Sequence, residues 1–415
     1  MAVRPEGPPR PILVQKYGGT SLDTAAHIKR AAQRIAERHR NGEAVVAVVS
    51  AMGDTTDRLL SLAGQVSREP DPRELDLLLS TGEGVSAPLM SMALNELGVA
   101  AVSLLGFQAG IQTDRRHARA RITGLAPERI ERELARGRVV VVARFQGIGD
   151  EMEVTTLGRG GSDTSAVALA VGLHAQACEI YTDVQGIFTA DPRLVPDARP
   201  LPRIAYAEML EMASAGARVM HPRSVEIAAA YGMELHIRSA FDEGPGTIVC
   251  AEEHIVEQRN RVRGVAHQEQ VARVSIVGVP DRPGIAAAIF VPLAEADIAA
   301  DVIVQTASHE GITDMSFTVP AADAKRAQQI VDQVAQSMGA RTVEQRRGLA
   351  KVALIGSGIN QQPGVAATMF RTLSEAGINI EMISTSEIRI TCIIDADRVK
   401  DAVQALHRAF GLEQA

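Results

Sequence analysis

Charged side chains adjoin glycine-rich stretches at two points of the 415-residue sequence. In the first, residues 154–166 combine polar side chains with three glycines and lead into an alanine-rich segment that predicts a helix. Glycine lets the backbone approach a ligand, and the start of a helix binds anions through free N–H groups. Ser162, Asp163 and Thr164 are suited to cap this helix, and Arg159 offers a planar guanidinium to a carboxylate or phosphate. A plain capping loop remains the alternative, because short glycine motifs have many false matches.

The second glycine turn follows the apolar run of residues 12–14. Here Lys16 precedes Gly18 and Gly19, an order found neither in a Walker A loop nor in the dinucleotide-binding fingerprint. A lysine at a strand end can still reach a transferring phosphoryl group, because phosphoryl transfer depends mainly on positioning and charge neutralisation. An exposed strand-end lysine is the alternative interpretation.

The elements that would position these residues are apolar runs separated by helical stretches. Such runs occur at residues 44–50, 99–105 and 138–143 as well as before Lys16, and they predict a parallel sheet covered on both faces. Ligands of such sheets bind beyond the carboxyl ends of the strands. We therefore expect Lys16, the loop at 50–57 and the loop at 147–163 to lie at one edge, together with ionisable groups that follow a strand near residue 180. His221 is a candidate general base, but a structural role is favoured because phosphoryl transfer to a hydroxyl or a carboxylate can proceed without a base.

Composition narrows the class of protein. The net charge is −7, only 3% of residues are aromatic and tryptophan is absent, which disfavours nucleic-acid binding. Three widely separated cysteines fit neither a disulfide scaffold nor a metal site. The first ten residues lack an apolar run, and we expect neither a signal peptide nor a membrane-spanning segment. The sequence predicts a soluble, multidomain protein of the cytoplasm.

The last third of the chain contains an internal repeat. Residues 273–278, 283–287 and 293–298 match residues 351–356, 363–367 and 373–378. This spacing exceeds that of solenoid repeats and indicates two small α+β modules, which could serve dimerisation or ligand sensing. The predicted organisation is a disordered tail at 1–11, a catalytic domain at 12–250, a linker at 251–268, and modules at 269–345 and 346–415.

In combination, these motifs resemble the aspartate kinases. Residues 16–21, 50–57, 81–83, 145–147, 155–165, 181–193 and 216–224 occur in that family's order, and the repeats resemble ACT domains. The resemblance implies an amino acid kinase fold, an α/β/α sandwich around a mostly parallel sheet, followed by two ferredoxin-like modules. It also implies transfer of the γ-phosphoryl group of ATP, with Mg²⁺, to the side-chain carboxylate of L-aspartate, the first step towards lysine, threonine and methionine.

The resemblance also implies roles for individual residues. Lys16 would neutralise charge on the phosphoryl group and Asp163 would orient Lys16, while Glu83 and Arg159 would bind the α-ammonium and α-carboxylate of aspartate. No residue is expected to hold a metal ion as a dedicated ligand. The implied substrate-binding set is Thr55, Glu83, Phe145, Arg159, Gly160 and Ser162. The implied nucleotide-binding set is Lys16, Gly18, Gly19, Thr20, Ser21, Tyr181, Thr182, Asp183, Arg193 and Arg218.

Regulation is implied by the paired modules. The positions that match effector sites of the family are Asp281, Gly284, Ala286, Gln305, Asn379 and Ile380. The implied effectors are lysine and threonine, and symmetric pairing of the modules implies at least a homodimer.

Three positions depart from the family pattern. Gly84 stands where the family usually has arginine, and Arg119 where it usually has asparagine. Arg144 stands where the family usually has glycine. One hypothesis is that Arg144 supplies the guanidinium that Gly84 lacks. The alternatives are a paralogue with altered acceptor preference or regulation, and a non-catalytic amino-acid sensor. The presence of Lys16, Glu83, Arg159 and Asp163 disfavours the sensor.

Overall fold

The protein was analysed as a computed structural model, which describes residues 10–158, 160–217, 219–254 and 262–414. Arg159, Arg218 and most of the predicted N-terminal tail therefore lie outside the described residues. The described chain divides into two compact units. Unit 1 comprises residues up to 187 together with 200–210 and 218–256, and unit 2 comprises 188–199, 211–217 and the remainder to residue 415.

Unit 1 is built on an eight-stranded sheet. Its strands lie in the order β10-β12-β11-β9-β1-β2-β6-β3, and only the β11–β12 pair is antiparallel. A small second sheet has the order β5-β4-β7-β8. The strands are β1 (Ile12–Tyr17), β2 (Ala44–Val49), β3 (Ala101–Leu104), β4 (Ile111–Thr113), β5 (Ile122–Leu125), β6 (Val139–Ala143), β7 (Gln146–Ile148), β8 (Val154–Thr156), β9 (Ala177–Thr182), β10 (Arg203–Ala205), β11 (Leu235–Ser239) and β12 (Thr247–Cys250).

Helices accompany this sheet, and strands β2 and β6 are buried along their whole length. Such burial is expected for strands covered on both faces. The parallel sheet predicted from the apolar runs is therefore confirmed. The helices are α1 (Ala25–Arg40), α2 (Thr55–Val66), α3 (Pro72–Glu96), α4 (Glu128–Ala135), α5 (Gly161–Gly172), α6 (Tyr206–Ser214), whose residues divide between the two units, and α7 (Pro222–Tyr231).

Helix α3 is long and apolar enough to span a membrane by length and composition alone, which the sequence analysis did not anticipate. It carries two buried carboxylates, Asp76 and Glu83, and both accept hydrogen bonds from other parts of unit 1. A carboxylate with protein partners is typical of a core helix, and we assign α3 to the core.

Unit 2 contains one antiparallel sheet with the order β14-β15-β13-β16-β18-β17. The two repeats are confirmed as structural modules, because each contributes a strand followed by a helix at matching positions. The strands are β13 (Gly264–Pro280), β14 (Asp301–Gln305), β15 (Ile312–Pro320), β16 (Thr342–Ile355), β17 (Met382–Thr385) and β18 (Arg389–Asp395). The helices are α8 (Ile285–Glu295), α9 (Ala324–Met338), α10 (Val365–Glu375) and α11 (Val399–Ala409).

Two features differ from the predicted domain boundaries. Residues 264–268, assigned to the linker, form the start of β13 and pair with residues 351–355 of the second module. Residues 188–199, assigned to the catalytic domain, belong to unit 2, where Ala190 and Val195 join the core of the second module. Thr189 also shares a 2.9 Å hydrogen bond with the buried His407 of α11. Both differences arise from long-range packing that local sequence patterns do not reveal.

Candidate active site

The end of β1 places Lys16 beside the first turn of α5. Lys16 pairs in parallel with Val48 of β2 and Ile180 of β9, so the central strand is fixed on both sides. Its Nζ lies 2.7 Å from Oδ1 of Asp163, and the two side chains are only 10% and 9% exposed. The expectation of an exposed strand-end lysine is thus excluded, and the pair forms a partly desolvated cation–anion contact at the carboxyl edge of the sheet.

The glycine turn after β1 brings the backbone close to the loop after β2. A Cβ on Gly19 would lie 3.0 Å from the carbonyl oxygen of Gly53 and 3.3 Å from that of Ala51, so the approach leaves no room for a side chain without movement. Gly18 donates its N–H to the carbonyl of Tyr181 at 3.4 Å. Next to this turn, Ser21 is buried. The turn therefore connects Lys16 with the ends of β2 and β9.

Helix α3 contributes Glu83 from its buried face. The Glu83 side chain is 1% exposed, and its Oε1 accepts a 3.2 Å hydrogen bond from the N–H of Ala51. Its neighbour Gly82 leaves space for Ala51 and Thr55, the first residue of α2, to pack against the helix. Burial raises the pKa of Glu83, while the nearby Arg144 guanidinium and the Ala51 N–H lower it. Glu83 thus lies in the same edge region as the loop at 50–53.

The start of α5 is shaped by glycine and by two aromatic rings. Gly160 caps the helix with φ 73°, and a Cβ there would lie 2.1 Å from the His221 ring, so only glycine fits. The Phe145 ring lies against Gly161, and the Phe145 N–H donates to Ser165 Oγ at 3.2 Å. The predicted substrate residues Phe145, Gly160 and Ser162 are thereby brought to the helix start that carries Asp163. This is an anion-binding geometry, with helix N–H groups next to a paired lysine.

His221 has the structural role that the sequence analysis favoured. It occupies the N-cap position of α7 and its Nδ1 accepts the N–H of Arg223 at 3.3 Å. Together with its packing on Gly160, this capping bond accounts for the residue without a catalytic function.

The predicted nucleotide residues divide into several groups. The Tyr181 ring is buried, stacks on Tyr17 with centroids 4.8 Å apart, and donates its hydroxyl to Glu179 at 3.0 Å. Any nucleotide contact of Tyr181 therefore involves its backbone. Thr182 donates to the exposed Asp183 at 3.0 Å, at the end of β9. Thr20 is exposed beside the glycine turn, and Arg218 lies outside the described residues. Arg193 lies in unit 2, where its Nη2 is 2.7 Å from Oδ2 of Asp191.

Sequence reasoning missed Asp76, a fully buried carboxylate of α3. Its oxygens accept hydrogen bonds from the N–H groups of Thr156 at 3.1 Å and Ala118 at 3.0 Å, and from the Thr156 hydroxyl. His117 Nδ1 lies 3.0 Å from Oδ2 of the same carboxylate. The backbone of Ala118 has a φ of 64°, and its carbonyl faces Gly158. Asp76 therefore joins the segment at 117–118 to the end of β8, three positions before Arg159 in the sequence. The sequence signal was an acidic residue between Leu75 and Leu77 in a leucine-rich stretch.

The predicted effector residues occur in both modules of unit 2, at the start of α8 and the end of β14 in the first module and just before β17 in the second. Asp281 donates its N–H to Gly311 at 2.8 Å, and Gly284 caps α8 with φ 95°, which places Ala286 in the first helical turn. Gln305 ends β14. In the second module, Asn379 donates to Glu381 at 3.2 Å, and Ile380 packs against the module core.

Comparison with known proteins agrees with this architecture. The profile of the amino acid kinase family matches residues 11–239, and that of the ACT domain matches residues 274–334 and 352–410. The aspartokinase of Mycolicibacterium smegmatis is 49% identical over 405 residues, covering 97% of this chain and 96% of the relative.

Solved structures give the same result. E. coli aspartokinase III in complex with aspartate and ADP in the R-state is 27% identical with a TM-score of 0.82, covering 96% of this chain and 99% of that one. The same enzyme in complex with lysine and aspartate in the T-state is 26% identical with a TM-score of 0.74, at the same coverage.

The fold and the site at the carboxyl edge of the sheet thus define an amino acid kinase followed by two ACT domains. Within that class, the chain belongs to the aspartokinase family.

Proposed function

We propose that this aspartokinase transfers the γ-phosphoryl group of ATP to the side-chain carboxylate of L-aspartate, forming 4-phospho-L-aspartate and ADP. The observation that supports this most strongly is the Lys16–Asp163 pair, 2.7 Å apart at the end of β1 and in the same edge region as buried Glu83. The E. coli relative was solved with aspartate and ADP bound, which suits a site of this composition.

In the proposed reaction, an oxygen of the aspartate side chain attacks the γ-phosphorus while the bond from phosphorus to the β–γ bridging oxygen breaks. The electron pair of that bond leaves with ADP. Because the acceptor carboxylate is ionised at neutral pH, no general base is required. Lys16 neutralises charge on the transferring group, and Asp163 holds the lysine side chain in place.

The acceptor is a zwitterion with an extra carboxylate, so it needs both an anion and a cation from the protein. Glu83 binds the α-ammonium and Arg159 the α-carboxylate in this proposal. The remaining contacts are assigned to the start of α2 (Thr55), to the segment between β6 and β7 (Phe145) and to the start of α5 (Gly160 and Ser162).

ATP is assigned to the ends of β1 and β9. The proposed nucleotide contacts are Lys16, Gly18, Gly19, Thr20, Ser21, the backbone of Tyr181, Thr182, Asp183 and Arg218.

Mg²⁺ would arrive with the nucleotide. In the described part of the chain, no group of three or more His, Cys, Asp or Glu residues could hold a metal ion. This donor set fits a cation bound mostly by phosphates and water with little protein ligation, which is common for Mg²⁺. When bound, Mg²⁺ neutralises charge on the phosphates.

Feedback control by lysine, threonine or both is proposed to act through the ACT domains at Asp281, Gly284, Ala286, Gln305, Asn379 and Ile380. The T-state structure of the E. coli relative contains lysine. Pairing of ACT domains between chains would give at least a homodimer, and the product would feed lysine, threonine and methionine synthesis in the cytoplasm.

Hydroxylamine trapping of the acyl phosphate tests the activity. Purified protein with ATP, Mg²⁺ and L-aspartate is expected to form aspartyl hydroxamate, and added lysine or threonine is expected to slow it. Lys16→Ala should abolish the product, whereas Lys325→Ala, which removes an exposed lysine of α9, should not. A wild-type protein that binds ADP but forms no hydroxamate would contradict the proposal.

A second candidate is a paralogue that phosphorylates a different acidic amino acid. The guanidinium of Arg144 beside Glu83 is the observation that favours it, because it alters the charge of the acceptor region. L-Glutamate and D-aspartate in the same assay separate the two activities.

A further inference from the structure

Arg144 directs its guanidinium towards the carboxylate of Glu83. Its Nε lies 3.6 Å from Glu83 Oε1, and its Nη2 donates to the Ser50 hydroxyl. The side chain is 17% exposed and passes 5.9 Å from the Phe145 ring centroid. Arg144 thus contacts the end of β2 as well as the buried face of α3, and it adjoins two residues of the proposed acceptor site.

Two buried polar atoms at this contact have no hydrogen-bond partner among the described residues. They are Nε of Arg144, a donor, and Oε2 of Glu83, an acceptor. A buried polar atom without a partner is costly, more so when it belongs to a charged group. Arg144 Nε is directed towards Glu83 Oε1, whereas Glu83 Oε2 is left for a cationic partner. The α-ammonium of an amino acid is such a cation.

The position after Glu83 can accept the side chain that it lacks. Gly84 lies inside α3 with ordinary helical φ, and a Cβ there would meet only Leu105 Cδ2 at 4.0 Å. A side chain can therefore begin at position 84 without a clash. The double variant described below tests whether a cation there acts on Glu83.

We propose that Arg144 is a positioning residue of the acceptor site: it holds Glu83 Oε1 so that Oε2 faces the acceptor ammonium, and it replaces the cation absent at Gly84. This inference rests on the proposed function and assigns Arg144 to acceptor binding. Phosphoryl transfer itself depends on Lys16 and Asp163.

The charges around Glu83 predict a pH signature. Arg144 faces Glu83 from the end of β6. Its guanidinium is also attracted by the carboxylate of Asp163, whose charge Lys16 neutralises in part. Burial raises the pKa of Glu83 and Arg144 opposes this rise. Without Arg144, Glu83 becomes protonated at a higher pH. On acidification, ammonium binding therefore begins to weaken at a higher pH in the variant than in the wild type.

The test compares Arg144→Gly, Gly84→Arg, the double variant and Arg144→Lys, each checked by circular dichroism and ADP binding. Arg144→Gly is expected to raise KM for aspartate about 10- to 100-fold, as when a charged hydrogen-bond partner is lost, with a smaller change in kcat and in KM for ATP. The increase should be larger at pH 6.5 than at pH 8.5. Arg144→Lys and the double variant should each recover part of the loss.

Other outcomes overturn the proposal. An unchanged KM for aspartate in Arg144→Gly, a fall in kcat alone, or a double variant no better than the product of the two single effects would each exclude this role. Failure of the wild type to form hydroxamate would instead reject the proposed function, so the two failures are distinguishable. Arg326→Ala, at an exposed site on α9, serves as the control for loss of an arginine.

Discussion

Nζ of Lys16 and Oδ1 of Asp163 are 2.7 Å apart although 147 positions separate the two residues in the chain (163 − 16). The contact joins the end of the central strand β1 to the first turn of α5. A phosphoryl-transfer site needs a cation whose position is fixed before the substrate arrives, and we propose that Lys16, held by Asp163, is this cation.

Removing the negative member of this pair should impair catalysis through Lys16. We expect Asp163→Asn to lower kcat about 10²-fold, in the range typical for loss of one preorganised electrostatic partner. Because both side chains act as a unit, the Lys16→Ala/Asp163→Asn double variant should be little worse than Lys16→Ala alone. Steady-state kinetics of hydroxamate formation measure this, and fully additive effects would show that Asp163 acts separately.

The cap glycine of α5 should be intolerant of any side chain. Gly160→Ala combines positive φ with a Cβ 2.1 Å from the His221 ring, so the loop must move. We expect loss of most activity together with a lower urea midpoint. Gly232→Ala is the matched control, since it also has positive φ but open space around its Cβ, and it should cost only about 1 kcal/mol. Equal effects of the two variants would contradict the steric argument.

Asp76 should affect aspartate binding from a distance. Asp76→Asn replaces one acceptor oxygen by a donor that faces the N–H groups of Thr156 and Ala118. We expect a destabilisation of about 1–3 kcal/mol and a raised KM for aspartate, because residues 156–158, which precede Arg159 in the sequence, lose their tether. Hydrogen exchange at residues 117–120 and 156–158 should increase. A variant with unaltered exchange there would show that the tether is unimportant.

His407 predicts a pH dependence of unit 2. Burial lowers its pKa, and Asp197, Glu413 and Arg408 are the charged groups that modify the effect. A histidine with a lowered pKa binds protons more readily in the unfolded chain, so stability is lost as pH falls below about 6.5, the unfolded value. The difference in urea midpoint between pH 7.5 and pH 5.5 should be smaller in His407→Gln than in the wild type. An equal difference would mean that His407 does not titrate in this range.

The meeting of Lys16 with Asp163 could be predicted because parallel strands end at a common edge and the helix after a glycine loop starts there. The tether formed by Asp76 could not, because its partners at 117–118 and 156 are distant in sequence and no local pattern links them. The same holds for Ala190 and Val195, whose burial in the second module follows from tertiary packing. The sequence supports only the hypothesis that Arg144 supplies the guanidinium that Gly84 lacks. The structure shows that Arg144 lies beside Glu83.

Isotope transfer tests the central claim most directly. With ¹⁸O in the side-chain carboxylate of L-aspartate, the attacking oxygen becomes the bridge of the acyl phosphate, and hydroxylamine then releases phosphate that retains it. We predict one ¹⁸O per phosphate released, no label when only the α-carboxylate is enriched, and no hydroxamate with Lys16→Ala. Unlabelled phosphate from side-chain-labelled aspartate would show that the site hydrolyses ATP without phosphorylating the acceptor.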